Sequence, residues 1–319
     1  MSRQYQPDRD PDLLARLTAL RRDLKPTRCA VVHPCDAESV AGAYQAAQAG
    51  LIEPVLVGPQ LKIAKALDEA GIAAGAMPVV ATEHSHAAAD KAVAMARAGE
   101  VAALMKGSLH TDELMGAAVA ADGLRSARRM SHVFVMDVPA YDRLLLITDA
   151  AINIAPDLDC KADIVRNAID LAHALGIALP RVAILSAVET VNARMPSTID
   201  AAALCKMADR GQITGGVLDG PLAFDNAVSA EAARQKGIVS EVAGHADILM
   251  VPDLESGNML AKQLSYFARA DSAGIVMGAR CPIALTSRSD PIEARLASAA
   301  LLGLVSAAAA VKVGIPAEL

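Results

Sequence analysis

The chain has 319 residues, 53% of them apolar and 21% charged, enough material for one or two hydrophobic cores and far from the composition of a disordered chain. Thirty Lys and Arg against 36 Asp and Glu leave a net charge of −6, and the aromatic complement is three Phe, four Tyr and no Trp. This argues against a duplex-binding surface, which needs a basic excess, and against a base-stacking binder, which needs exposed rings. Cys29, Cys35, Cys160, Cys205 and Cys281 are scattered without a Cys-x-x-Cys pair, so neither a disulfide framework nor a zinc knuckle is expected and a reducing compartment fits. The first residues mix charges of both signs without an apolar h-region, so no signal peptide is expected and the cytoplasm is the expected location.

After a polar lead-in with one helix over residues 12–24, β-branched runs alternate with Ala-rich amphipathic stretches. Strands are predicted at 29–33, 54–57, 77–81 and 101–105, with helices at 38–49, 60–70, 86–98 and 112–120, the first two stopped by Gly50 and Gly71. This β-α rhythm implies a parallel sheet with helices on both faces. It breaks near residue 130, where 131–138 and 143–148 read as two strands at hairpin spacing across Pro139-Ala-Tyr-Asp142 and start a second sheet with antiparallel character. Helices then follow at 162–175, 199–210 and 257–270, and strands at 181–185, 216–219, 248–251 and 274–277. Leu296 to Val311 is uncharged over 16 residues. At about 1.5 Å per residue it reaches roughly 24 Å, short of a ~30 Å hydrocarbon core, so a buried C-terminal helix is expected. No linker of low complexity separates the parts, which suggests two α/β domains with a ligand cleft between them.

Dinucleotide, P-loop, serine-hydrolase and zinc-protease motifs are absent. His84 and His86 have no third ligand nearby and read as a solvent-facing loop.

Five segments carry candidate chemistry. In Lys106-Gly107-Ser108-Leu-His-Thr111, a strand meets a helix; free backbone N–H groups, close approach at Gly107, the charge of Lys106 and the hydroxyls of Ser108 and Thr111 would suit an anion, while an ordinary turn with Thr111 as N-cap explains the same residues. Arg125, Arg128 and Arg129 form a positive cluster suited to a phosphate-rich ligand such as coenzyme A, or simply an exposed, ion-paired face. Asp219-Gly-Pro…Asp225-Asn226 and Asp253…Ser256-Gly257-Asn258 each end a strand in carboxylates beside a turn or helix start, and together point to a shared rim; Asp253 or Ser256 as a helix cap is the plainer reading. In Ser287-Arg288-Ser-Asp290-Pro291-Ile-Glu293, Asp290, Pro291 and Glu293 fit N-cap, N1 and N3, which leaves Ser287 and Arg288 unexplained by capping and suited to an oxyanion.

With those residues in view, KGSLHTDELM, SHVFVMDVP, ITDAAINIAPDL, VNARMPSTIDAAAL, DGPLAFDNA, HADILMVPDLESGNMLAKQL and LTSRSDP, in order from Lys106 to Asp290, resemble the phosphate acetyltransferase and phosphate butyryltransferase family, with wording nearer its butyryltransferase-like branch. The resemblance implies reversible acyl transfer between CoA and phosphate with no permanently bound cofactor and no metal, CoA being a co-substrate. It implies a fold similar to the isocitrate and isopropylmalate dehydrogenases: a first α/β domain of residues 1–130 plus 282–319 and an inserted second domain, 131–281, through which a homodimer forms. Ser287 and Arg288 match the family's catalytic pair. The family's later acid does not match cleanly, because its position is Ala294 here; Asp290 and Glu293 compete for the role, with Asp290 slightly ahead. Lys106, Gly107, Ser108, Thr111, Asp225, Gly257 and Asn258 are then expected to bind substrate, and Arg125, Arg128 and Arg129 the phosphates of CoA. A butyryl or branched short chain is the expected acyl group and acetyl the alternative. A metal- and NAD-dependent hydroxy-acid dehydrogenase, and a non-catalytic CoA-binding relic, are the readings from other classes.

Overall fold

A computed structural model describes residues 10–286 and 290–312. The described residues of Leu14–Arg129 and Ala273–Leu319 form one compact unit, and those of Met1–Leu13 and Met130–Ser272 form a second.

The first unit runs α1 (Leu13–Leu20), β1 (Thr27–Val32), α2 (Ala37–Gln48), β2 (Ile52–Gly58), α3 (Gln60–Glu69), β3 (Val79–Ala81), α4 (Ser85–Arg97), β4 (Ala103–Lys106) and α5 (Thr111–Val119). The chain returns to it as β10 (Asp271–Met277), β11 (Ile283–Ala284) and α11 (Ile292–Lys312). Its strand order is β3-β2-β1-β4-β11-β10, parallel except for β10, which pairs antiparallel with β11. The alternation of short β-branched runs with Ala-rich helices builds this layer, and helix ends are set by local chemistry. Asp36 caps α2 by accepting from the Ser39 N–H at 2.7 Å, and Gly50 and Gly71 follow α2 and α3 in the left-handed region, both at φ 67°. His84 caps α4, its Nδ1 accepting from the Ala87 N–H at 3.2 Å, so the His84 side chain has a structural task.

α11 is 21 residues long, about 31 Å at 1.5 Å per residue, so length does not separate it from a membrane span; the uncharged stretch that sets the expected 24 Å starts four residues after the helix does. Burial does separate it. Ala297, Ala300, Leu301 and Leu302 are at most 1% exposed, and the helix packs on α2 and across β1, β2, β4 and β11. Burying each leucine contributes roughly 1.5–3 kcal/mol, which identifies the apolar face as core.

The second unit contains β5 (Ser131–Asp137), β6 (Leu145–Thr148), α6 (Leu158–Ala174), β7 (Arg181–Leu185), α7 (Pro196–Asp209), β8 (Val217–Leu222), α8 (Phe224–Val228), α9 (Ala230–Gln235), β9 (Ile248–Met250) and α10 (Leu254–Phe267). Its order is β5-β6-β9-β7-β8, with β5 and β6 antiparallel, as their spacing predicts, and the rest parallel. Met136, Ile147, Leu185, Leu222, Leu249 and Val251 form the centre of its core.

Three expectations need correction. The break expected between 281 and 282 falls between 272 and 273, because β10 is held to the first unit's β11, and the main-chain N–H groups of Asp12 and Leu13 go to carboxylates of the second unit, Asp137 (3.0 Å) and Asp271 (3.2 Å). The Gly220-Pro221 turn is instead the middle of β8: a Cβ on Gly220 would sit 2.7 Å from the Ile184 carbonyl oxygen, so glycine lets β8 lie close to β7. α6 and α10 begin earlier than expected because Asp157 and Asp253 cap them, accepting from Cys160 N–H and Ser256 N–H, both at 2.8 Å.

Candidate active site

In the first unit the carboxyl ends of β2, β1, β4 and β11 lie along one edge of the sheet. The chain leaves β1 toward β2 on one side, while β4 lies on the other, so β1 and β4 flank a topological switch point, where open α/β sheets bind their ligands. His33 follows β1 there and Lys106-Gly107-Ser108 closes β4.

The geometry changes the expected role of two of these residues. The Gly107 N–H donates to the Val32 carbonyl at 2.9 Å and the Ser108 N–H to the His33 carbonyl at 3.0 Å, so neither amide is open to an anion. A Cβ on Gly107 would stand 2.5 Å from the Val32 oxygen; the glycine is required by the backbone of β1 rather than by a ligand. The Ser108 hydroxyl donates to the His33 carbonyl (2.7 Å) and accepts from the Cys35 N–H (2.9 Å), a latch between the two strand ends. Thr111 is the first residue of α5, not its cap. The cap position is His110, whose N–H goes to the Glu113 carboxylate at 3.0 Å. Glu113 also accepts from the Ser85 hydroxyl (2.8 Å) and faces His86 (3.3 Å), and these contacts hold its carboxyl below the usual range, so His86 meets a carboxylate rather than open solvent alone.

Lys106 is 9% exposed, and its ammonium donates to the carbonyls of Gly107 and Thr286, both at 3.3 Å. Thr286 returns the contact, its hydroxyl donating to the Lys106 carbonyl at 3.2 Å. The ends of β4 and β11 are thereby tied by a reciprocal pair, and Thr286 is the residue before Ser287 in the chain. Ser287 and Arg288 lie outside the described residues. Asp290 is half-buried and its carbonyl accepts from the Arg295 guanidinium at 3.4 Å, while Glu293 is exposed on the first turn of α11.

Arg125, Arg128 and Arg129 stand elsewhere in this unit. Arg125 bridges Ala279, between the end of β10 and the start of β11, and this is the amino edge of β4, opposite Lys106. The Arg125 Nε donates to the Val119 carbonyl, and Arg280, a cation that sequence reasoning missed, donates to the Arg125 carbonyl at 3.1 Å.

The second unit holds the remaining candidates. Parallel pairing of β6, β9, β7 and β8 puts their carboxyl ends on one edge, so the Asp225 and Asp253 turns do share a rim. Asp225 is exposed and faces Lys236 at 3.6 Å, an ion pair on the surface. Gly257 and Asn258 pack on the turn after β6: a Cβ on Gly257 would lie 2.6 Å from the Asp149 carbonyl oxygen, and the Asn258 amide donates to the Ala150 carbonyl at 3.2 Å.

The organiser of that turn is Asp149, which sequence reasoning missed. Its carboxylate, 1% exposed, accepts from the N–H groups of His132 (3.2 Å), Ala151 (3.0 Å), Ile152 (3.1 Å) and Asn153 (3.0 Å) and from the Asn153 amide (2.6 Å). The signal was present as an Asp followed by small residues and an Asn, the composition of a side-chain-closed turn. Beside it, burial holds His132 below the usual imidazole range against the pull of the Asp149 charge, so its ring is neutral, edge-on to Phe134 at 4.5 Å. Among the described residues no three His, Cys, Asp or Glu side chains converge as a metal site.

An open α/β unit with a buried ammonium at the carboxyl edge of its sheet has the layout of the class of α/β proteins that take ligands at the ends of their strands. Comparisons narrow the class. The family model described as “Phosphate acetyl/butaryl transferase” matches residues 74–302. A phosphate acetyltransferase of Rhizobium meliloti is 61% identical over 298 residues, 93% of this chain and 94% of the relative. A phosphate butyryltransferase of Clostridium acetobutylicum is 43% identical over 258 residues, 81% of this chain and 86% of the relative. The crystal structure of a branched-chain phosphotransacylase from Enterococcus faecalis superposes with a TM-score of 0.78 at 29% identity, covering 88% of this chain and 99% of that one. A 4-hydroxythreonine-4-phosphate dehydrogenase from Klebsiella pneumoniae, at 13% identity and a TM-score of 0.54 over 88% of this chain and 99% of that one, shares the fold alone. The chain belongs to the phosphate acetyltransferase and butyryltransferase family, and it is an acyltransferase.

Proposed function

We propose that the chain transfers an acetyl group reversibly between CoA and inorganic phosphate, acetyl-CoA plus phosphate giving acetyl phosphate plus CoA. The observation that carries acetyl over butyryl is the 61% identity to a phosphate acetyltransferase across nearly the whole of both chains. This favours acetyl slightly over the butyryl or branched chain expected from the wording of the sequence blocks. A branched or butyryl substrate remains the second reading, favoured by the likeness to the Enterococcus faecalis enzyme. The hydroxy-acid dehydrogenase reading keeps only a fold-level likeness.

In the direction of acetyl-CoA synthesis a carboxylate takes the thiol proton of CoA, since a thiol of pKa about 8.5 is mostly protonated at neutral pH. The thiolate attacks the carbonyl of acetyl phosphate, the negative charge moves to the carbonyl oxygen, and phosphate leaves as the carbonyl re-forms. Arg288 and the Ser287 hydroxyl stabilise that oxyanion, and the Lys106 ammonium supplies charge for the phosphoryl group. Thr111 joins it from the first turn of α5. Arg125, Arg128 and Arg129 take the phosphates of CoA, a long ligand whose phosphates lie far from its thiol. No cofactor is held permanently, and the enzyme works as a cytoplasmic homodimer. Asp290 is the base in this reading, supported by its half-buried setting where Glu293 is exposed.

Phosphate-dependent thiol release from acetyl-, butyryl- and isobutyryl-CoA tests the activity. The expected ranking puts kcat/KM for acetyl-CoA at least about tenfold above the other two, a contrast that two further carbons at about 1–3 kcal/mol each can supply. A reversed ranking replaces acetyl by the longer chain, and no phosphate-dependent thiol from any of them overturns the reading. Asp290→Asn is expected to lower kcat by roughly 10²–10⁴ while Glu293→Gln stays within about threefold of the wild type. The opposite pattern transfers the role to Glu293.

A further inference from the structure

His33 is not used by the mechanism above. It adopts φ 52°, in the left-handed region that residues other than Gly enter uncommonly, Asn, Asp and His more often than the rest, immediately after β1. The conformation is imposed from several sides. The His33 N–H donates to the Val57 carbonyl at 2.7 Å, and the His33 carbonyl accepts from the N–H groups of Ser108 and Cys35, both at 3.0 Å, and from the Ser108 hydroxyl at 2.7 Å. Glycine would satisfy this backbone without strain, so a histidine at this position, at a cost of order 1 kcal/mol, directs attention to its ring.

The ring is half-buried. Its Nδ1 is shut away from solvent and has no hydrogen-bond partner. Burying an N–H without an acceptor is costly, which favours the tautomer that carries its proton on Nε2. Burial lowers the affinity of the ring for a second proton and the Lys62 charge on α3 adds to that, against Glu113 on α5, the ring's own carbonyl and Asp36 before α2, so the imidazole is a neutral donor at pH 7. The two acids are engaged: Glu113 by Ser85, His86 and the His110 N–H, Asp36 by the Ser39 N–H. Among the described residues, Lys62 and Lys106 are two cations of the same edge, on either side of the switch point.

We propose that His33 donates its Nε2–H to a phosphoryl oxygen of the substrate, with Lys62 supplying charge beside it. The inference rests on the acyl-transfer reading for the identity of the ligand, either the transferable phosphate or a phosphate of CoA.

The test uses His33→Asn, His33→Gln and the wild type. Asparagine is at home in the left-handed region, so the variant folds, but its amide reaches only as far as Nδ1; glutamine carries its amide out to the position of Nε2. The KM for phosphate is expected to rise at least tenfold in His33→Asn with kcat within threefold, and to return to within threefold of wild type in His33→Gln. A rise confined to the KM for acyl-CoA assigns the contact to a phosphate of CoA and supports the same donor. Wild-type values of both KM constants in His33→Asn overturn the proposal.

A binding arm separates this inference from the activity. Stabilisation against heat by inorganic phosphate alone and by CoA alone is measured on the wild type and on His33→Asn. If the wild type releases no thiol yet its stabilisation by one ligand is lost in His33→Asn, the acyl-transfer reading fails and the phosphoryl contact stands. Equal stabilisation of both proteins, or none of the wild type by either ligand, overturns the contact.

Discussion

Replacing Lys106 by methionine should lower kcat/KM for phosphate-dependent thiol release by roughly 10²–10³ while leaving the fold intact. Methionine matches the aliphatic stem and removes only the ammonium, which is the group that a developing phosphoryl charge would meet; one such donor is typically worth that factor. The structural cost is bounded, because the Gly107 and Thr286 carbonyls each lose a single neutral-acceptor contact at 3.3 Å, and each such contact contributes about 0.5–3 kcal/mol. A protein still folded at the assay temperature together with the activity loss is the expected pair of results. Lys106→Arg should not restore the rate, since a planar guanidinium does not fit a position only 9% exposed between two strand ends. Near-wild-type turnover in Lys106→Met would remove Lys106 from the site.

The layered α/β architecture was legible because its signals are periodic and repeated: β-branched runs such as Cys29-Ala-Val-Val, Ala-rich helices closed by Gly50 and Gly71, and a hairpin spacing at Pro139 that the β5–β6 pairing matches. Elements too short to carry a period were not legible. β11 has two residues and exists because β4 and β10 lie on either side of it, and α8 and α9 have five and six. In the candidate site, residue type was readable and the task of each residue was not. Gly107 reads as room for an anion, but its missing Cβ is occupied by the β1 backbone, a relation between segments 75 residues apart that spacing does not encode. His33 was passed over for the converse reason. What marks it is a backbone angle and a buried nitrogen, and both arise only when β1, β2 and β4 are assembled. The net charge likewise leaves open how cations are distributed: in the first unit they divide between the carboxyl edge, with Lys62 and Lys106, and the amino edge, with Arg125 and Arg280.

Asp149→Ala is expected to produce a large loss of stability in the second unit. Its carboxylate closes the turn after β6 by accepting five hydrogen bonds from His132, Ala151, Ile152 and Asn153. Alanine would leave the buried His132 N–H and the half-buried donors of Ala151, Ile152 and Asn153 without this acceptor, a loss of roughly 3–5 kcal/mol. At about 2–4 °C per kcal/mol for chains of this size class, the thermal midpoint of the transition that includes this unit should fall by roughly 6–20 °C. Asp149→Asn is the discriminating control. Its oxygen can still serve His132, Ala151 and Ile152, but its amide would face the Asn153 N–H and side-chain amide, donor against donor, so it should recover only part of the loss. The damage should spread to α10, because Gly257 lies against the Asp149 carbonyl and Asn258 donates to Ala150. Amide exchange should accordingly quicken over residues 254–260 as well as over 149–153. An Asp149→Ala protein melting within 2 °C of wild type, with α10 equally protected, would show that the turn is held by packing and not by the carboxylate.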